Sequence, residues 1–182
     1  MTAMLYQVKY LCYLHLAKML KQKSRIIGPS PRLSYPCGFF DGAAAKDLGG
    51  AGFVLHLSKL HFFAFSLGCG SSTNNKAGLL ALWALLAVSK IMGIPLHSIY
   101  GDSLIIVNWA NLILTLNSPF LYHWRKDIKS HILHFPSLTI NHIYQEHNQQ
   151  ADSLSKNALD LDPSFGIFSE HLNGMISDHG NF

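Results

Sequence analysis

The sequence predicts an α/β fold in which one mixed β-sheet is covered by helices. Three closely spaced segments of aromatic and β-branched residues, between residues 37 and 68, predict an antiparallel meander. Helical and strand patterns then follow in the order α-β-α-α-β-α, which is typical of strands joined by helical crossovers. A meander followed by crossovers indicates a sheet with both antiparallel and parallel pairs.

Each strand of the meander is bounded by Gly, Ser or Lys. The first, CGFFDGAAA, is a short apolar run that ends at Asp41-Gly42. The second and third are GGAGFVLHLS and LHFFAFSLG. Their short spacing predicts that consecutive strands pair with each other.

The first helix follows a Gly/Ser-rich turn. Thr73 or Asn74 is a suitable N-cap, because a side-chain oxygen there accepts a backbone N–H of the first turn. Gly93-Ile94-Pro95 ends the helical pattern. Between these points the apolar residues recur at helical spacing, namely Leu79, Leu82, Leu85, Leu86 and Ile91.

The second half of the pattern alternates strands with helices. A fourth strand stops at Gly101-Asp102-Ser103, where Asp102 or Ser103 caps the next helix. Asn148 caps the last helix, and no periodicity follows Pro163. The predicted elements are a strand at 96–103, helices at 104–114 and 120–135 with a break at 117–119, a strand at 137–144 and a helix at 148–161.

The length of 182 residues fits one domain with extensions. We divide the chain into a basic N-terminal extension and linker (1–36), a domain (37–160) and a C-terminal tail (161–182). The first 40 residues hold six Lys or Arg and no acid, which leaves eight basic residues against all ten acids in the remainder. Binding of a polyanion by the domain therefore does not follow from the net charge of +4.

The N-terminal extension also leads to expectations about where the protein lies in the cell. Lys9 and Lys18 interrupt its apolar residues, so it has no segment long enough to span a bilayer. It is a short helix with a Pro/Ser linker at 28–36, a remnant of a longer parent protein or, being poor in acids, an organelle transit peptide. Three cysteines without CxxC spacing predict reduced thiols in an intracellular protein of the cytoplasm or nucleus.

Three aspartates fall at related places in this pattern. Asp41 ends the first strand, Asp102 ends the fourth, and Asp152 lies in the first turn of the last helix. If the first and fourth strands are parallel neighbours, Asp41 and Asp102 emerge at the same edge of the sheet. Grouped carboxylates predict divalent cations that hold a phosphodiester for in-line attack. Taken singly, each aspartate is also explained by a turn, a helix cap or the helix dipole.

In this order and spacing, the motifs resemble the ribonuclease H type 1 family, particularly its reverse-transcriptase-like branch in plant genomes and retrotransposons. The segments that carry the resemblance are FFDGAAAKDLGGAGFVL, GSSTNNKAGLLALW, LHSIYGDSLIIVNW and INHIYQEHNQQADSLSKNAL. The resemblance implies an RNase H-like, five-stranded mixed sheet with helices on both faces. It also implies Mg²⁺-dependent endonucleolytic hydrolysis of the RNA strand of RNA–DNA hybrids, with two ions in an intact site and Mn²⁺ as a substitute.

The resemblance also assigns roles to residues. Asp41 would bridge two metal ions, and Asp102 and Asp152 would complete the catalytic site. Four residues would contact the minor groove of the hybrid, namely Gly42 through its backbone and Thr73, Asn74 and Asn75 through their side chains. His142, ten residues before Asp152, would assist proton movement or product release, or it simply ends a strand.

One expected residue is missing. The family pattern TNNxAE has glutamate where this chain has Gly78, and no Asp or Glu lies between Asp47 and Asp102 to replace it. Glycine inside a helix also costs about 1 kcal/mol relative to alanine. Two hypotheses remain open. The chain is an impaired RNA–DNA hybrid ribonuclease, or it is a catalytically inactive module of retroelement origin that binds nucleic acid or protein.

Overall fold

A meander of three antiparallel strands begins the fold, as the sequence predicts. The computed structural model describes residues 30–114 and 122–182, so the predicted helix of the extension and the predicted break at 117–119 lie outside the described residues. In the meander, β1 pairs with β2 and β2 with β3, each antiparallel. Their bounds are Cys37–Ala45 for β1, Leu48–His56 for β2 and His61–Ser71 for β3.

The parallel part of the sheet lies on the other side of β1. β4 (Ser98–Gly101) pairs in parallel with β1, and β5 (Thr139–His142) pairs in parallel with β4. The mixed sheet is therefore confirmed. Asp41 is not at the end of its strand, because β1 continues in antiparallel pairing to Ala45 after its parallel pairing has stopped.

Helices cover both faces of the sheet. On one face lies α1 (Asn74–Ile91), and on the opposite face lies α4 (Gln149–Asn157). The side chains of α1 form most of the core together with α2 (Leu104–Ala110), α3 (Tyr122–Ile132) and the inner strands. Fully buried members of that core are Leu82, Leu85, Phe53, Ile99 and Ile106.

The predicted helix caps are confirmed in part. Thr73 is the N-cap of α1, where its hydroxyl accepts the Lys76 N–H at 3.3 Å. Ser103 and Asn148 stand at the N-cap positions of α2 and α4, but neither side chain makes a capping bond. The helix that begins at Leu104 ends at Ala110 and is shorter than predicted.

The sheet has seven strands in the described residues, whereas five were expected. After α4 and a 3-10 turn, the tail forms β6 (Gly166–Leu172) and β7 (Met175–Asn181), and β6 pairs antiparallel with β3. The strand order is β5-β4-β1-β2-β3-β6-β7. Asn173-Gly174 joins the two added strands, with φ angles of 53° and 82°. An Asn-Gly pair between apolar residues is a strong hairpin signal, so the sequence did contain a signal for this hairpin.

Two further predictions concern cysteines and membranes. Cys37 and Cys69 are both free thiols. No helix within 30–114 and 122–182 is long and apolar enough to cross a membrane.

Candidate active site

An open cleft lies where β1 and β4 part. Phe40 and Gly101 are the last parallel pair, so Asp41 and Asp102 follow at equivalent positions on neighbouring strands. Asp152, in the first turn of α4, faces the same cleft. The cleft has a volume of about 440 Å³ and contains all three predicted aspartates. Its other lining residues include Gly42, Asn74, Asn75, Gly78, Ile106 and Lys156.

Helix α4 holds the two strand aspartates through hydrogen bonds. The Ser155 hydroxyl donates to Asp41 Oδ2 at 3.0 Å, and Asn148 Nδ2 donates to Asp102 Oδ1 at 3.2 Å. The same Asn148 amide also donates to the carbonyl oxygen of Phe40 at 2.9 Å, directly before Asp41. Both side chains are buried, with Asn148 1% and Ser155 0% exposed. These bonds therefore fix the strand carboxylates relative to the helix that carries Asp152.

The position of α4 depends on two glycines of β2. A Cβ at Gly52 would lie 2.3 Å from Ser155 N, and a Cβ at Gly50 would lie 2.1 Å from Ser155 O. No side chain fits at such distances, so the helix backbone rests directly on the strand. Gly52 is also the cross-strand partner of Asp41. The contact that seats α4 is therefore adjacent to the carboxylate that α4 binds.

The charges in the cleft are unevenly compensated. The pKa of Asp41 is raised from 3.8 to about 6, first by partial burial, next by the negative charge of Asp102, and to a smaller extent by Asp152. Hydrogen bonds from the Gly42 N–H and the Ser155 hydroxyl act in the opposite direction. Because burial and like charges both disfavour the carboxylate, a cation in the cleft would relieve an unfavourable arrangement.

Asp152 differs from the other two aspartates. Lys156, one turn later on α4, forms an ion pair with its Oδ2 at 2.6 Å. Among residues 30–114 and 122–182, no three His, Cys, Asp or Glu side chains are grouped closely enough to hold one metal ion. The three aspartates thus share a cleft without converging on a single point.

Opposite α4, the cleft wall around Gly78 is apolar. β1 and α1 cross in backbone contact, since a Cβ at Gly42 would lie 2.0 Å from Gly78 N and 2.5 Å from Ala77 C. Gly78 is not constrained in this way. Its Cβ would meet only Ile106 Cδ1 closely, at 2.5 Å, and would lie 3.9 Å from Gly42 N. The space beside Gly78, where a glutamate side chain would begin, therefore holds the end of a flexible Ile106 side chain.

The remaining predicted residues lie around the rim. Asn74 and Asn75 line the cleft and are exposed, as is Thr73, which caps α1 beside them. His142 ends β5, and its Nε2–H donates to the carbonyl oxygen of Asp102 at 3.1 Å, so it adjoins Asp102 without lining the cleft. Gly42 contributes cleft backbone and the close crossing just described.

Four residues of the site were not predicted from the sequence. For two of them the sequence contains a signal. Ser155 and Lys156 come three and four residues after Asp152, so both lie near it on one helix. Asn148 was predicted only as a cap, and Ile106 only as part of an apolar helix. The four are Ile106, Asn148, Ser155 and Lys156.

A family model described as reverse transcriptase-like matches residues 39–158 of this chain. RNase H1 from the halophilic archaeon Halobacterium salinarum has a similar structure, with 27% identity, a TM-score of 0.63 and coverage of 68% of this chain and 96% of that one. LC11-RNase H1, in complex with an RNA/DNA hybrid, is also similar, with 27% identity and a TM-score of 0.61. The match covers 68% of this chain and 96% of that one.

A more distant structure shares the fold alone. The protease-reverse transcriptase of prototype foamy virus is 17% identical with a TM-score of 0.56, and the match covers 73% of this chain and 22% of that one. No curated protein matches this chain in sequence.

Proposed function

The chain belongs to the reverse transcriptase-like family, whose RNase H-like fold it has, and from this premise we propose that it is a divalent-metal-dependent RNase H-type domain. Its substrate is an RNA–DNA hybrid, of which it cleaves the RNA strand with weak turnover. The observation that carries the proposal is the single cleft shared by Asp41, Asp102 and Asp152, with Asn74 and Asn75 at its rim. LC11-RNase H1, at 27% identity, is a relative with an RNA/DNA hybrid bound.

The donors in the cleft have the chemistry that a hard cation requires, and the three aspartates would have to converge to share one ion. Carboxylate oxygens are the ligands that Mg²⁺ and Mn²⁺ prefer. The raised pKa of Asp41, caused by burial and by the neighbouring Asp102, indicates negative charge that is not neutralised by the protein. Asp41 and Asp102 would hold the ion, and Asp152 would join them on leaving Lys156. When bound, the ion would stabilise the charge that develops on the phosphodiester during in-line attack.

The chain's own residues would perform the other tasks. Asn74 and Asn75 are exposed amides that can donate to and accept from ribose hydroxyls, which distinguish RNA from DNA. His142 donates to the Asp102 carbonyl, so its proposed role is to orient the loop that carries Asp102. A further role in proton movement rests on the family pattern.

A second candidate function has its own observation. The missing carboxylate at Gly78 leaves an apolar wall, where Ile106 Cδ1 fills the space that a side chain would enter. A module of retroelement origin that binds nucleic acid or protein without cleavage would tolerate this wall. A nuclease loses rate by it, because catalytic groups act as a unit.

Restoring the carboxylate separates the two candidates. We expect that Gly78→Glu combined with Ile106→Val, which deletes the obstructing Cδ1 atom, raises Mg²⁺-dependent cleavage of the RNA strand at least about tenfold. The assay follows a hybrid labelled on the RNA strand. The isosteric Gly78→Gln with Ile106→Val is the matched control, because it fills the same space without the charge.

Three outcomes decide between the candidates. A gain with glutamate and not with glutamine supports the nuclease. A folded glutamate variant that binds the hybrid and leaves it intact refutes the nuclease and favours the binding module. Equal gains with both variants would mean that packing, not charge, limits the rate.

A further inference from the structure

Ser155 is a fully buried residue of α4 whose hydroxyl reaches a cleft carboxylate. Its Oγ lies 3.0 Å from Asp41 Oδ2 and 2.9 Å from the carbonyl oxygen of Asp152. A serine hydroxyl has one proton, so these two acceptors compete for it. The bond to a charged carboxylate is the stronger of the two. The hydroxyl is therefore directed mainly toward Asp41.

The backbone of α4 prevents Ser155 from moving away. Glycines at positions 50 and 52 let the helix rest on β2, where a Cβ at either position would lie within 2.3 Å of a Ser155 backbone atom. Gly52 is paired directly with Asp41 across the two strands. The donor and the acceptor are thus both anchored on the same small area of the sheet.

A comparison within the chain shows that this bond is not simply the usual behaviour of a helical serine. Ser89 of α1 is equally buried, and its Oγ donates to the Leu85 carbonyl at 2.7 Å within the same helix. Such a bond to the preceding turn satisfies the hydroxyl and orients nothing else. Ser155 also has an acceptor in the preceding turn, the Asp152 carbonyl, but its hydroxyl reaches the Asp41 carboxylate on a second element.

We propose that Ser155 is a positioning residue that holds the Asp41 carboxylate in one rotamer, ready for a divalent cation. The proposal deepens the proposed function and rests on its metal site. Groups that orient a metal ligand by hydrogen bonding change affinity or activity about 10- to 100-fold when removed. Position 78 has no carboxylate, and Asp152 is paired with Lys156. Metal binding would therefore depend more strongly on the orientation of Asp41.

The first test measures position without metal. In the metal-free protein above pH 7, we expect three-bond NMR couplings to show one χ1 rotamer for Asp41, and averaging between rotamers in Ser155→Ala. Ser155→Cys keeps the shape of the side chain with a larger sulfur in place of the oxygen and replaces the donor by a weak one, so averaging should persist. Ser89→Ala, which removes a buried hydroxyl elsewhere, should leave Asp41 unchanged.

The second test measures whether the hydrogen bond from Ser155 increases the affinity for the metal ion. We expect Ser155→Ala and Ser155→Cys to weaken Mn²⁺ binding about tenfold in calorimetric titration, while Ser89→Ala binds as the wild type does. The melting temperatures of the metal-free variants check that each is folded. If the cysteine variant binds Mn²⁺ as the wild type does, the loss of affinity in Ser155→Ala is due to a cavity, and the proposal is overturned.

A negative result in one test can be distinguished from a negative result in the other. If the wild type binds no Mn²⁺, the proposed function is wrong, and the rotamer of Asp41 still decides whether Ser155 positions it. If the wild type binds Mn²⁺ but Asp41 keeps one rotamer and full affinity in Ser155→Ala, the positioning role is wrong and the metal site stands.

Discussion

The two helices that flank β1 at the cleft differ in what they offer to the carboxylates. α4 supplies Asp152, and its Ser155 and N-terminal Asn148 hydrogen-bond Asp41 and Asp102. α1 crosses β1 in backbone contact and brings Gly78, beside which Ile106 of α2 fills the space. The α4 side of the cleft is therefore a connected polar network, whereas the α1 side is apolar around Gly78 and carries Asn74 and Asn75 at its rim.

The difference follows from the period of the strand. Successive residues of a strand point to opposite faces, so Asp41 faces α4 while Gly42 faces α1. A side chain missing from the α1 face therefore removes none of the hydrogen bonds on the α4 face. A missing glutamate is compatible with a fully ordered Asp41, and order at the aspartates does not by itself imply turnover.

The two glycines that meet on the α1 face give the largest expected difference. Gly42→Ala should lower the free energy of unfolding by about 3 kcal/mol, because its Cβ would lie 2.0 Å from the backbone of α1. Gly78→Ala should stay within about 1 kcal/mol of wild type, since better helix propensity offsets a shift of Ile106. Urea unfolding of both variants is the measurement. Equal losses would contradict the asymmetric crossing.

The pH dependence of the α4 face comes next in size. The pKa of Asp41 is raised from 3.8 to about 6, so the folded state holds a proton that the unfolded state releases. The free energy of unfolding of the metal-free protein should therefore fall as pH rises from about 4 to about 6. Metal affinity should rise over the same range, because the ion needs the ionised carboxylate.

Matched variants isolate this dependence. Asp41→Asn should remove the part of the pH dependence of the free energy of unfolding that Asp41 causes. Asp47→Asn, in the exposed β1–β2 turn, should leave that dependence unchanged. Urea unfolding at several pH values measures the stability, and Mn²⁺ titration at the same values measures the affinity. A slope that survives in Asp41→Asn would assign it to other groups.

The sequence predicted the meeting of Asp41 and Asp102 on the condition that β1 and β4 are parallel neighbours, and the structure pairs these two strands in parallel. The hydrogen bonds between elements were not predictable in this way. Asn148 has the sequence signature of a helix cap, yet its amide bonds Phe40 and Asp102 instead. Local patterns identify which residues are polar, while tertiary packing decides where their donors point.

The contacts of Ile106 and Ser155 depended still more on packing. The Ser155 contact follows from a close approach of two backbones at Gly50 and Gly52, and the Ile106 contact from the space left beside Gly78, and a single sequence shows either only as glycine in a strand or helix. The β6–β7 hairpin is a different case, because Asn173-Gly174 was a recognisable turn signal. Its flanking strands lack a clear alternation, so the turn signal alone did not predict a pair of strands.

The smallest expected effect concerns Lys156, the cation that pairs with Asp152 in the polar network. Lys156→Met removes the partner of Asp152, but the lysine side chain is 57% exposed, so the free energy of unfolding should change by less than about 1 kcal/mol. Mn²⁺ affinity should rise about threefold, because a positive charge leaves the cleft and Asp152 becomes available.

The salt dependence identifies the cause of that gain. Screening at high ionic strength should reduce the difference between Lys156→Met and wild type, whereas a gain from altered packing would persist. Lys59→Met, in the exposed β2–β3 turn, is the matched control and should leave affinity unchanged. A loss of affinity in Lys156→Met would instead make the lysine a part of the binding site. The ion pair would then orient Asp152 for the metal, as Ser155 is proposed to orient Asp41.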